Sequence, residues 1–234
     1  MSKFEGKLAL VTGASRGIGY HCALALAKEG AHVIGLARTV GGLEELDDEI
    51  QSFGGQATLV PHDLMDFEGT DRLGAVLFER WKALDILVLN GGILGGLSPL
   101  DHFDHKTFEK VMATNVTGNW RLMRSLSPLL RNSSSARIAV LFSSIAEQTK
   151  PFWGAYAASQ AALKTLVETW AAENEKTEMK MNLFDPGPTN TALRAQAMPG
   201  EDKNTLTKPE NVAQQILPIL EVGNTKSGSV FKLL

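Results

Sequence analysis

Three runs of this chain, Leu8–Val11 (LALV), Ile86–Leu89 (ILVL) and Ile138–Phe142 (IAVLF), are apolar at every position instead of at alternate ones. A strand of that kind has no face to offer water, so it belongs in a sheet covered on both sides. Candidate strands lie at Leu8–Thr12, His32–Ala37, Ala57–Pro61, Ile86–Leu89, Arg137–Phe142, Lys180–Phe184 and Val230–Leu233. Between them, longer amphipathic stretches predict helices at Gly17–Glu29, Leu43–Phe53, Glu68–Lys82, Thr107–Leu130, Ala155–Glu173 and Pro209–Leu220. Such alternation predicts an α/β fold: a doubly wound parallel sheet of about seven strands, with helices on both faces. No repeat, low-complexity tract or linker divides the chain, so one domain over residues 1–234 is expected.

Composition removes several classes of function. A net charge of -3 supplies no basic field for nucleic acid. No segment approaches the eighteen or so apolar residues of a membrane span. The N-terminal MSKFEGK is polar and runs straight into the first strand, which leaves no signal peptide to expect. Cys22 is the sole cysteine, so an internal disulfide is excluded and a reducing cytoplasm is the expected setting. Of the five histidines only His102 and His105 are close, in DHFDH, and no metal site is expected from a pair in a loop.

In open parallel sheets, ligands bind outside the carboxyl ends of the strands, where the strand order reverses. The first strand ends there in Thr12-Gly13-Ala14-Ser15-Arg16-Gly17-Ile18-Gly19 and opens directly into a helix. Gly13 permits a tight turn, Gly17 lets the backbone approach a pyrophosphate, and Gly19 lets the helix pack close to the strand. Free N–H groups at the helix start suit an anion, so this is a Rossmann-type dinucleotide loop in which Ser15, Arg16 and Ile18 are also expected to contact the nucleotide. After the second strand, where an NAD enzyme carries Asp or Glu for the ribose 2′-hydroxyl, this chain has Arg38. Arg38 and Arg16 together would grip a 2′-phosphate, which favours NADP(H) over NAD(H).

Together with motifs further along the chain, TGASRGIG resembles the TGxxxGxG loop of the short-chain dehydrogenase/reductase (SDR) family, and the resemblance covers nearly the full length. Asp63-Leu64 resembles the family's adenine-contacting pair, and Asn90-Gly91-Gly92 its Asn-Ala-Gly, with Gly91 in place of Ala. Asn115 in ATNVTGNW is similar to the family's structural and proton-relay asparagine. Ser144, then Tyr156 in WGAYAAS, resemble its catalytic serine and tyrosine, with Ser143 as the adjacent alternative. Asn182, Pro186-Gly187 and Thr191 match NxxxPGxxxT, whose threonine contacts the nicotinamide carboxamide. The resemblance implies hydride transfer between a nicotinamide and a small carbonyl or alcohol substrate. Chemistry agrees, since a carbonyl taking up hydride needs a hydrogen-bond donor and a proton donor at its oxygen.

One position departs from the pattern. The family's YxxxK lysine lies one helical turn beyond the tyrosine, but this chain reads Tyr156-Ala157-Ala158-Ser159-Gln160. Gln160 can hydrogen-bond a ribose hydroxyl but supplies no charge. Lys164, eight residues beyond Tyr156, lies about 12 Å from it along the helix axis and is a poor substitute; Lys150, in the loop after Ser144, is the other lysine that could swing in. A tyrosine without that charge keeps its proton at neutral pH, so reduction is the expected direction. The alternative is an NADP-binding module, regulatory or structural, that has lost turnover. Residues 185–207 are expected to form a substrate lid with Pro199-Gly200 as a hinge, set against an ordinary surface excursion. Trp120, Met123, Leu126, Leu163, Leu166 and Trp170 are expected mostly in the core; the family's habit of pairing these helices implies a homodimer or homotetramer.

Overall fold

The computed structural model describes residues 2–233. Its strands are β1 (Leu8–Thr12), β2 (His32–Ala37), β3 (Gln56–Pro61), β4 (Ile86–Leu89), β5 (Arg137–Leu141), β6 (Lys180–Asp185) and β7 (Val230–Lys232). Its α-helices are α1 (Gly17–Lys28), α2 (Val40–Ser52), α3 (Phe67–Trp81), α4 (His105–Met112), α5 (Asn119–Asn132), α6 (Gly154–Glu173), α7 (Ala192–Ala197) and α8 (Pro209–Leu220). All the strand pairings are parallel, in the order β3-β2-β1-β4-β5-β6-β7. The winding therefore reverses between β1 and β4, and that crevice is where a ligand site belongs.

The uniformly apolar strands serve two cores at once. In β1, Ala9 and Val11 pack with Cys22, Leu26, Leu43, Leu46 and Ile216 of α1, α2 and α8. Leu8 and Leu10 pack on the other face with Leu77, Leu122, Leu126, Leu163 and Val167 of α3, α5 and α6. Cys22 is buried, and burial pushes its thiol up to about 12, so it behaves as a small hydrophobe. Gly74 sets the distance between α3 and α5, because a Cβ there would run into the Ser125 carbonyl.

The helix predicted over Thr107–Leu130 is the main correction. The segment begins at His105, ends at Asn132 and is interrupted by a π-helical turn at Ala113–Gly118 that separates α4 from α5. Asn115, the expected proton-relay asparagine, placed by the sequence within a regular helix, sits in that widened turn. The buried Asn119 amide nitrogen lies within hydrogen-bond distance of the Thr114, Asn115 and Gly91 carbonyls, and so bonds the turn to the loop after β4. Inserted π turns commonly mark functional positions. Smaller shifts also have causes. β5 stops at Leu141, before Phe142, while β6 runs on to Asp185, because β7 pairs with it as far as Asp185↔Lys232. α2 starts three residues earlier than expected, at Val40.

Candidate active site

A cleft of about 620 Å³ opens along the carboxyl ends of β1, β4, β5 and β6. Its floor at β1 is the glycine turn. Gly13 has φ +65°, and a Cβ there would sit 2.7 Å from the Asn90 amide nitrogen; Gly17 has φ +60°. Both are left-handed conformations that favour glycine. Gly19 does not line the cleft; a side chain there would strike Gly13 and Asn90, so its role is close packing. Helix α1 starts behind this turn with no side-chain cap and no acidic residue in its first turn. Its first N–H groups are thus left for an anion.

The neighbouring loop is tied to the turn by a buried residue that motif reading passed over. The Thr12 hydroxyl accepts the N–H groups of Asn90 (2.9 Å) and Gly91 (2.8 Å), and Asn90 Nδ2 donates to the Thr12 carbonyl at 3.0 Å. This also explains glycine at position 91, where a Cβ would lie 3.0 Å from Leu64 and 3.3 Å from the Thr12 hydroxyl. At the far end of the cleft, Arg16 and Arg38 are both exposed, and Arg38 faces Asp63 at 3.6 Å. Leu64 lines the cleft as well.

At the other end stands Tyr156, in the first turn of α6, half-buried against Trp153 with ring centroids 6.2 Å apart. Burial, with the Asp185 carboxylate adding to it, pushes the phenol well above its ordinary range, so it holds its proton at neutral pH. Gln160 is buried one turn on, and its Oε1 accepts the Ser143 N–H at 3.0 Å. That bond fixes which end of the amide faces the strand: an N–H needs the oxygen, so Nε2 with its two donors is directed elsewhere. A lysine, having no acceptor, cannot make this contact. Asn115 holds the wall opposite, with Oδ1 accepting from Ile93 N–H (2.8 Å) and Nδ2 donating to the Ile93 carbonyl (2.9 Å) and Ser159 Oγ (3.0 Å).

Of the two candidate serines, Ser143 lines the cleft. Ser144, the one favoured by the motif, is not among the lining residues; it opens a short 3-10 turn and its N–H donates to Asp185 Oδ2 at 3.2 Å. Pro186, Gly187 and Thr191 line the cleft, and Thr191 caps α7 by accepting from Arg194 N–H. Asn182 lies away from it, clamping the approach to β7 through the Lys226 carbonyl and the Ser229 N–H. The two lysines considered as substitutes are engaged elsewhere. Lys164 pairs with Glu168 (3.0 Å) and Glu147 (3.7 Å), while Lys150 lies over the Trp153 ring at 4.6 Å.

Residues 186–207 form an excursion, here called the flap, at the Tyr156 end of the cleft, held together by a bridge between Thr189 and Thr207 and by the Arg194–Glu201 ion pair. Leu193, Ala197 and Met198 of the flap pack with Leu94, Ile145, Trp153 and Tyr156, a small core separate from the two that flank the sheet. Asp185, the last residue of β6 and the one before this flap, is the functional candidate that sequence reading missed. The signal was present: an acidic residue closing the otherwise apolar end of a strand (NLFD) at the ligand-binding edge.

A doubly wound sheet with a glycine turn at β1 and a tyrosine-bearing helix beside it defines a nucleotide-dependent oxidoreductase fold. Comparison with known proteins gives the family. The family described as short chain dehydrogenase matches residues 7–202, and the chain belongs to it. The Escherichia coli uncharacterized oxidoreductase YciK is 32% identical over 229 residues, covering 96% of this chain and 90% of that protein. A solved protein of the short chain dehydrogenase type from Pseudomonas syringae superimposes with a TM-score of 0.95 at 34% identity, over 99% of this chain and 96% of the other. Another of that type from Escherichia coli CFT073, complexed with NADPH, gives a TM-score of 0.92 at 31% identity, over 99% and 98%. The chain is thus an enzyme of the oxidoreductase class that interconverts CH–OH and C=O groups through a nicotinamide cofactor.

Proposed function

We propose that this protein is an NADPH-dependent carbonyl reductase in which Tyr156 works without the family's lysine. The observation that carries the reading is the pairing at the cleft's inner end: a tyrosine packed against Trp153, one helical turn from a glutamine anchored to the Ser143 N–H. NADP(H) is favoured by Arg16 and Arg38 at the ribose end of the cleft, and a relative of 31% identity is complexed with NADPH. Gly13, Ser15, Gly17 and Ile18 with the start of α1 would hold the pyrophosphate, Asp63, Leu64, Asn90 and Gly91 the adenosine half, and Pro186, Gly187 and Thr191 the nicotinamide. Bound there, the reduced nicotinamide supplies the hydride that becomes the new C–H bond.

The chain's own groups then handle the oxygen. A serine hydroxyl of the Ser143–Ser144 pair orients the carbonyl, and Tyr156 delivers the proton. Gln160 Nε2 holds a ribose hydroxyl in the place of an ammonium, and Asn115 keeps the wall behind Tyr156 in position. Because the phenol stays protonated, reduction finds its acid ready at neutral pH and oxidation lacks its base. Residues 185–207 act as the substrate lid of a single domain spanning 1–234. A homodimer or homotetramer is proposed through α5 and α6, with Trp120 of α5 42% exposed. A cytoplasmic setting suits the lone, buried Cys22 thiol.

The test is NADPH consumption over a panel of aldehydes, ketones and quinones, with the native protein and Gln160→Lys side by side. Turnover by the native protein above background is the expected result. NADPH binding with turnover only in Gln160→Lys would replace this reading with that of a cofactor-binding module.

A further inference from the structure

One acidic group of the cleft, Asp185, acts in that chemistry only through its pull on the Tyr156 proton and is given no partner of its own. It is 6% exposed at the end of β6 and lines the same cleft as Tyr156 and Gln160. Gly187 N–H donates to Oδ1 at 3.1 Å and Ser144 N–H to Oδ2 at 3.2 Å, so two backbone amides fix the carboxylate in place. A carboxylate has about four acceptor positions, which leaves it capacity for a further partner.

No cation of the chain takes that capacity among the described residues. Lys232 is its ladder neighbour on β7 but pairs with Glu147 at 3.5 Å. Lys164 on α6 pairs with Glu168 and Glu147, and Lys150 lies over the Trp153 ring. On the flap, Arg194 is held by Glu201, and Lys203 is exposed where it lines the cleft. Arg16 and Arg38 belong to the opposite, ribose end. Position 160, where the family places a lysine, is a neutral glutamine. The charge around the reacting centre is thereby inverted, from an ammonium to a buried carboxylate.

We propose that this cleft selects a carbonyl compound bearing an ammonium group within a few bonds of its carbonyl, with Asp185 as the residue that determines that specificity. The proposal rests on the carbonyl-reductase reading and names its substrate class. A carboxylate shielded from water attracts a cation far more strongly than an exposed one does, while a neutral ketone gains nothing from it. A lysine at position 160 would repel the same cation, so its loss favours this substrate. The reaction is the ordinary one. With NADPH bound, its hydride would form the C–H bond at the carbonyl carbon and leave NADP+, Tyr156 gives its proton to the oxygen, and a proton taken up from solvent restores Tyr156.

The test uses two ketones of one shape, acetonyltrimethylammonium and 4,4-dimethylpentan-2-one, which differ by a charged nitrogen in place of a carbon. Their ratio of kcat/KM is compared among the native protein, Asp185→Asn and Gln160→Lys, so that the intrinsic reactivity of each ketone cancels. The native ratio is expected to fall about tenfold in either variant, from removal of the anion or restoration of the cation. Binding of the two corresponding alcohols to the NADP+ complex, followed by calorimetry, should show the same loss of preference and applies even where turnover is slow. If thermal melting shows Asp185→Asn unfolded, Gln160→Lys carries the test.

A native protein without preference for the charged alcohol, or a preference that survives in the folded variant, would overturn the proposal. So would an effect of Asp185→Asn confined to the relative affinity for NADP+ and NADPH. Failure to bind NADPH at all would instead overturn the carbonyl-reductase reading beneath it.

Discussion

Tyr156 and Gln160 set the pH behaviour of this site. The phenol is displaced upward, so its protonated form persists through neutrality. Reduction, which uses that proton, is expected to stay level between about pH 6 and 9, whereas oxidation, which needs the phenolate, should rise with pH throughout. Gln160→Lys places a positive charge one turn from the phenol and should lower its pKa by about 1–3 units. The variant's oxidation rate at pH 7 should then rise by more than its reduction rate, as pH profiles in both directions will show. An unchanged oxidation profile would mean that the lysine side chain does not reach the phenol. The two serines separate by substitution. Whichever of Ser143→Ala and Ser144→Ala removes the carbonyl donor should lose about 10²–10³ in kcat with little change in NADPH affinity. Since Ser143 lines the cleft and Ser144 does not, the larger loss is expected at Ser143.

Two elements hold those residues where they are. Helices α3 and α5 approach so closely at Gly74 that its N–H donates to Ser125 Oγ at 2.9 Å. Gly74→Ala should push the helices apart and cost about 1–3 kcal/mol, read as a lower denaturation midpoint with an unchanged m-value. Its effect should extend to the site, because α5 continues into the π turn that carries Asn115. The flap is the second element. Its Arg194–Glu201 pair is partly exposed, so Glu201→Gln should leave the global denaturation midpoint nearly unchanged. The same change should loosen the flap, raising KM for the carbonyl and speeding proteolysis within residues 186–207. A proteolysis rate equal to that of the native protein would show that the Thr189–Thr207 bridge alone closes it.

Across the molecule, cofactor and fold are coupled. A ligand that binds only the native state raises stability by about 2.7 kcal/mol at a hundred times its Kd. NADPH should therefore raise the melting temperature more than NADH at equal concentration. In the double variant Arg16→Ala/Arg38→Ala the two cofactors should stabilise alike, since only the 2′-phosphate distinguishes them. An NADPH advantage that survives in the double variant would place the phosphate elsewhere.

Most of this architecture was legible in the order of residues, because its signals are local. Runs such as LALV and ILVL need a sheet covered on both faces wherever they occur, and Gly13 and Gly17 are required by the backbone of a single turn. The charge change at position 160 was visible for the same reason, at a fixed helical spacing from Tyr156. What the chain order could not decide are contacts between distant segments. The π turn at Ala113–Gly118 depends on Asn119 meeting the Gly91 carbonyl, and the cleft-lining position of Ser143 depends on Gln160 reaching back from α6 to β5. Asp185 acquires its place only when the segments that follow β5 and β6 converge around one carboxylate, through the Ser144 and Gly187 N–H groups. Periodicity determines which face of an element is buried, but the partner of a buried polar group is chosen by three-dimensional proximity, which this sequence brings about only once the sheet has assembled.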